Sequence, residues 1–166
     1  MGERGEEWEA VMLRKAEEEE SKAVKKVKLV TSDGVTMEVE ISTVKEMETI
    51  QAFMNATDTD NSIIFPLPKV SSHILSRIME LMSGEYDQEL VKRLSHEELK
   101  EICMVANYLN MKTLLHLTAS AIANLIQNKS VEFVRHFFNI INDFTPEEEV
   151  QLRKTHEWAF EGVDED

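Results

Sequence analysis

Five histidines, one cysteine and five glycines are the residues from which the commonest chemical sites would have to be built. His73, His96, His116, His136 and His156 are dispersed, and no HExxH pair occurs; His96-Glu97-Glu98-Leu99-Lys100 shares only its first two residues with that motif, so zinc-ligand spacing is missing. Cys103 falls on an apolar face with Ile102 and Ala106 and has no adjacent pair of bases of the kind that activates a thiol. It reads as packing, and a single cysteine closes no internal disulfide. Gly2, Gly5 and Gly162 lie near the ends and Gly34 sits in a turn, so neither a phosphate-cradling P-loop nor a GxGxxG turn exists. Asp58-Thr59-Asp60-Asn61-Ser62 begins like a calcium loop, but Ile63 stands where the sharp-turn glycine belongs and Lys69 where the closing carboxylate belongs. It is expected to be a polar loop. No catalytic constellation stands out, so a binding module without cofactor or metal leads over an enzyme.

Charge narrows the partners. The 166 residues carry 18 Lys plus Arg against 32 Asp plus Glu, a net −14, which disfavours phosphate backbones and anionic lipid. Nucleic acid is therefore not an expected partner, and no apolar run approaches the roughly 18 residues needed to cross a bilayer. Met1 to Glu20 is acidic without an apolar core, so no secretory signal is read, the sequons at Asn55 and Asn128 count as chance, and a cytoplasmic and nuclear location is expected. Residues 1–24 read as a solvated acidic extension and residues 162–166 as an acidic tail.

Between the acidic ends, the pattern predicts an α+β domain. Val27 and Leu29 alternate with lysines, Asp33-Gly34 tolerates positive φ, and Val35, Met37, Val39 and Ile41 alternate with polar residues: a β-hairpin with one wet face. Thr43 and Glu46 are spaced as a capping box before Met47, Ile50, Phe53 and Met54 at helical spacing. Ile63 to Phe65 is a short edge strand ended by Pro66 and Pro68. Ser71 or Ser72 caps a helix with a stripe of Ile74, Leu75, Ile78, Met79 and Met82, terminated by Gly84. After a polar connection over Tyr86 to Arg93, Ser95 and Glu98 form a capping box for Leu99, Ile102, Cys103, Ala106 and Leu109, with Asn110 as a left-handed stop. Met111, Leu114, Leu115, Thr118, Ile122, Leu125 and Ile126 then line one side of another helix.

Phe133, Phe137, Phe138, Phe144, Trp158 and Phe160 crowd the final third. Ser130 caps a short helix over Val131 to Phe138, and Thr145-Pro146-Glu147-Glu148 has a cap residue, a proline at the first helical position and a carboxylate three after the cap. Trp158 is expected in that second helix. Two such short helices cannot close a core of their own. They either pack back on the domain or present an apolar surface to another protein, and composition leaves both open.

The order Thr31-Ser32-Asp33-Gly34, Pro66-Leu67-Pro68, Tyr86-Asp87-Gln88-Glu89, Ala106-Asn107-Tyr108-Leu109-Asn110, Phe138-Asn139-Ile140-Ile141-Asn142-Asp143-Phe144-Thr145-Pro146-Glu147-Glu148-Glu149 and Trp158-Ala159-Phe160-Glu161 resembles the Skp-type adaptors of SCF ubiquitin ligases, with an ending like the plant branch. The resemblance covers about residues 25 to 161. It implies a BTB/POZ-type α/β domain over residues 25–110 that docks on the N-terminal region of a cullin, and C-terminal dimerisation and F-box-binding helices over residues 111–161. It thereby favours the interface reading of the aromatics. By matching motif, Asn107 and Tyr108 resemble cullin contacts, beside the alternative of helix termination with a half-buried tyrosine. Leu115, Ile122, Ile126, Phe138, Ile140, Asn142, Asp143 and Trp158 resemble the F-box surface; for Leu115 and Ile122 simple core packing stays equally open.

The chain departs from the family pattern at Lys100, where an aromatic is usual, at Ile141, where lysine is usual, at Tyr86 in place of tryptophan, and over Asn128 to Phe133, which replaces a Gly-Lys-Thr-Pro-Glu-Glu entry. An acidic insert before Asp87 is missing and the N-terminal extension is added. These differences bear on F-box choice and affinity and mark a divergent paralogue. The expected function is a non-catalytic adaptor linking F-box proteins to a cullin, with weak self-association allowed when no F-box partner is present. The alternatives are an elongin C-like or other POZ interaction module, which would lack the Phe138 to Glu149 motif, and a small acidic enzyme, which the missing motifs disfavour.

Overall fold

A computed structural model describes residues 26–56 and 64–163. The acidic extension, the Asp58 to Ser62 loop and the last three residues of the acidic tail lie outside the described residues. Tight contacts divide the chain into two compact units: one runs to Ser76 and includes Tyr108–Met111, the other comprises Arg77–Asn107 and the chain from Lys112.

The first unit is built on a three-stranded sheet in the order β2-β1-β3. β1 (Lys26–Thr31) and β2 (Thr36–Glu40) form the expected antiparallel hairpin, Val27 facing Val39 in register, with Gly34 at φ 79 in the turn. Alternation puts Val27, Leu29 and Thr31 inside, while Lys28 and Glu38 pair across the wet face at 3.7 Å. Asp33 in the hairpin turn accepts the Ser72 backbone N–H at 3.2 Å, and the Ser72 and Thr31 hydroxyls donate to the same carboxylate. Those hydroxyl donors hold its pKa down at about 2.

Ile41 does not continue the strand. It opens a one-turn helix, α1 (Ile41–Val44), and Val35 lies exposed in the turn. Thr43 therefore sits inside α1, and the longer helix α2 (Glu48–Ala56) starts after it, so the anticipated Thr43–Glu46 cap is not where that helix begins. β3 (Ile64–Leu67) pairs parallel with β1 at the sheet edge and runs through Pro66. A proline is tolerated there because an edge strand leaves one row of amides unpaired. Phe53 of α2 meets Phe65 edge to face at 5.0 Å. Thr49 donates to the Tyr108 carbonyl at 3.0 Å, and Asn110, left-handed at φ 54, donates to Glu48.

Helix α3 (Ser72–Ser83) runs from the first unit into the second, with Ser71 accepting the Ile74 N–H. Its inward stripe is Ile74, Leu75, Ile78 and Leu81. Gly84 is not the left-handed terminator: Glu85 and Tyr86 carry the positive φ values, 51 and 61. What Gly84 provides is space, since a Cβ there would stand 3.1 Å from Leu90. The expected polar connection also contains a short helix, α4 (Gln88–Lys92), capped by Asp87, because Leu90 and Val91 supply apolar anchors amid the charges.

The remaining helices follow their local signals. α5 (His96–Tyr108) opens on a Ser95–Glu98 capping box, α6 (Lys112–Ile126) follows the Asn110 stop, and α7 (Val131–Phe137) is capped by Ser130. α8 (Pro146–Thr155) carries both halves of the Thr145–Glu148 capping box. It stops before Trp158, which sits in a separate 3-10 turn, Glu157–Phe160, after a break at His156 (φ −127, ψ 41). In the second unit Leu99, Ile102, Val105, Leu114, Thr118 and Phe137 are buried. The α+β class holds: a small sheet early in the chain, then helices.

Candidate functional site

The caps that start the C-terminal helices are local, so the chain from Ser130 onward presents its side chains on a defined frame. The Ser130 hydroxyl accepts the Phe133 N–H at 3.0 Å and starts α7; the Thr145 hydroxyl accepts the Glu148 N–H, the Glu148 carboxylate accepts the Thr145 N–H, and together they start α8. Between the helices, Asn139 is left-handed at φ 55 and reverses the chain. Asn142 accepts the Phe144 N–H at 3.2 Å and donates to Glu149 at 2.8 Å. The Arg135 guanidinium lies 2.9 Å from Glu149 and 5.8 Å over the Phe144 ring, so one carboxylate ties α7, the loop and α8 together. The donors from Arg135 first and Asn142 second hold the Glu149 carboxyl below its usual range.

On this frame the aromatics divide. Phe137 is buried, against His96 at 5.2 Å and Phe138 at 4.9 Å, and anchors α7 to the unit. Phe138, Ile140, Ile141, Phe144, Val150, Leu152 and Trp158 stay exposed, Ile141 at 86% and Trp158 at 74%. Exposed apolar side chains gathered in one stretch of chain are of the kind that protein-binding surfaces use. Phe144, Leu152, Trp158 and Phe160 line an apolar groove of about 320 Å³ together with Val131, Ala159 and the basic side chains Arg135 and Arg153. Arg153 caps this edge, stacked 5.1 Å over Phe160 and paired with Glu132.

The residues singled out from the sequence fall into three places. Phe138, Ile140, Asn142 and Asp143 occupy the exposed α7–α8 loop, and Trp158 borders the groove beyond α8. Leu115, Ile122 and Ile126, seven and four residues apart, share one face of α6 and are all half-buried. Asn107 and Tyr108 end α5, Asn107 exposed and Tyr108 half-buried with the Lys69 ammonium 5.9 Å over its ring. Sequence reasoning missed Leu152 in the groove, and it missed Arg135, Glu149 and Arg153, whose ion-pair partners lie 14 to 21 residues away; the only local trace of the two arginines is a basic residue in the last turn of each helix.

Lys100 is one place where the chain departs from the expected pattern, and its side chain is nearly enclosed. Its ammonium donates to the Phe137 carbonyl, pairs with Glu97 at 2.7 Å and lies 5.2 Å over the Phe137 ring. Among the described residues, no group of three or more His, Cys, Asp or Glu could hold a metal ion, and no helix is long and apolar enough to cross a membrane.

A POZ-type sheet unit followed by helices that expose an aromatic surface defines a class of interaction protein. Residues 25–84 match the tetramerisation domain of the Skp1 family and residues 112–159 its dimerisation domain. The chain is 36% identical over 161 residues to SKP1-like protein 1A of Arabidopsis thaliana, covering 84% of this chain and 99% of that protein. SKP1-like protein 1 of Oryza sativa subsp. japonica is 36% identical over 169 residues (82% and 96%), and the S-phase kinase-associated protein 1 homolog of Tetrahymena thermophila is 34% identical over 161 residues (83% and 96%). The chain belongs to the Skp1 family. That is a family of non-catalytic adaptors in the SCF ubiquitin pathway.

Proposed function

We propose that this chain links F-box substrate receptors to the N-terminal region of a cullin in an SCF ubiquitin ligase of the cytoplasm and nucleus. The observation that carries this reading is the set of exposed apolar side chains around the α7–α8 loop and the Trp158 groove, on a frame braced by Arg135, Glu149 and Asn142. An amphipathic F-box helix would cover Phe138, Ile140 and Trp158 and leave the Asn142-Asp143 turn to meet its backbone groups. Leu115, Ile122 and Ile126 would extend that surface along α6. The cullin would bind at Asn107 and Tyr108, at the far end of α5 from its capping box. Residues 25–110 then act as the cullin-docking part and residues 111–161 as the F-box part, and without an F-box the uncovered surface supports weak self-association.

The test is reconstitution. The purified chain is mixed with an F-box domain and with a cullin N-terminal region, and complexes are resolved by size-exclusion chromatography and titration calorimetry. A ternary complex in which each partner binds without displacing the other is expected. Absence of binding to F-box domains overturns the reading.

A further inference from the structure

We propose that Lys100 is a positioning residue for the turn Phe138 to Ile140: its ammonium closes the C-terminus of α7 and so holds that turn, already in the free chain, in the form a partner meets. The word partner rests on the F-box reading above; the clamp itself does not.

The last four carbonyls of a helix have no donor within it. In α7, Val134 accepts the Phe138 N–H at 3.0 Å, Arg135 accepts the Ile140 N–H at 2.8 Å and His136 accepts the Asn139 N–H at 3.2 Å. The Phe137 carbonyl accepts from Lys100, 37 residues away in the chain. The Lys100 side chain is only 13% exposed, so its charge is committed to this site and to Glu97 instead of to water. Its position over the Phe137 ring adds a cation–π contact. The geometry leads directly to the exposed surface: Phe137 stacks edge to face on Phe138, and the left-handed Asn139 follows. Movement of Phe137 would therefore release Phe138 and Ile140 together. An apolar side chain at position 100 could fill the volume but could not donate, which leaves a nearly enclosed carbonyl without a partner.

Two substitutions separate charge from bulk. Lys100→Met keeps the length and removes the donor, and Lys100→Arg keeps a cationic donor. Native-state amide exchange of Asn139 and Ile140 is measured on the free full chain, with α6 as an internal control, and affinity for a purified F-box domain is measured by calorimetry. Lys100→Met is expected to speed exchange at the turn about tenfold over the change in α6 and to weaken F-box binding about tenfold, the size of one charge-assisted hydrogen bond, and Lys100→Arg to restore most of both. Unchanged exchange at the turn in Lys100→Met, loosening shared equally by α6, or failure of Lys100→Arg to restore protection would each overturn the clamp. A wild-type chain that binds no F-box domain overturns the functional reading instead, and the exchange measurements still decide the clamp.

Discussion

Truncating Trp158 to alanine asks whether the exposed aromatic surface is a binding surface. Trp158 is 74% exposed and sits beyond the end of α8, so the chain itself covers little of it. A tryptophan offers roughly 200 Å² for burial, which at this exposure leaves about 150 Å² for a partner. At about 25 cal/mol per Å² its complete coverage would contribute up to ~4 kcal/mol. Ordering the side chain and retaining the alanine methyl reduce the expected loss to ~2–3 kcal/mol, roughly a 30- to 150-fold fall in F-box affinity. Stability should scarcely respond, since an exposed substitution stays within about 0.5 kcal/mol, or ~1–2 °C in melting temperature. Calorimetric titration with an F-box domain and thermal unfolding of the same variant provide the two numbers. Unchanged affinity with a melting temperature lowered by many degrees would refute the reasoning, because the indole would then be packed on its own chain.

Tyr108→Ala is expected to weaken cullin binding while leaving F-box binding nearly intact; equal loss of both in pull-downs would make the residue structural. Asp33, whose pKa falls from 3.8 unfolded to about 2 folded, contributes stability that is fully present above pH 3.8 and is lost as pH falls toward 2. The wild-type stability read by urea unfolding should fall as pH is lowered across that window, and Asp33→Asn should flatten this part of the pH dependence. Thr145→Ala removes one half of the α8 capping box and should cost about 1 kcal/mol, seen as faster amide exchange in the first turn of α8 with little change in β1.

The features legible in the sequence are those whose cause lies within four residues. Ser95, Ser130 and Thr145 cap because hydroxyl and amide are neighbours in the chain, and Asn110 stops a helix by its own tolerance of positive φ. Thr43 and Glu46 carried the same spacing, yet the chain turns through α1 there, since burial of Val44 and Met47 outweighs a cap. Gly84 looked like a terminator, but Glu85 and Tyr86 take the left-handed positions while Leu90 claims the space beside the glycine. At the candidate surface the crowding of aromatics after Ser130 was visible, whereas its division into a buried Phe137 and exposed neighbours was not. The bracing by Arg135 and Glu149, and the anchoring of Phe137 by Lys100, depend on side chains from different helices, which no local pattern encodes.

The sheet has a consequence for how this protein can be approached. Among the described residues it ends at β2 on one side and at β3 on the other, with only five and four residues in those strands. Pro66 deprives β3 of one amide, and Glu38 and Glu40 charge β2. Short, proline-bearing and charged edges make poor templates for an added strand. Recognition by strand addition, which reads mainly main-chain groups and tolerates many sequences, is thereby discouraged. A partner that reads side chains on helices and loops meets no such obstacle.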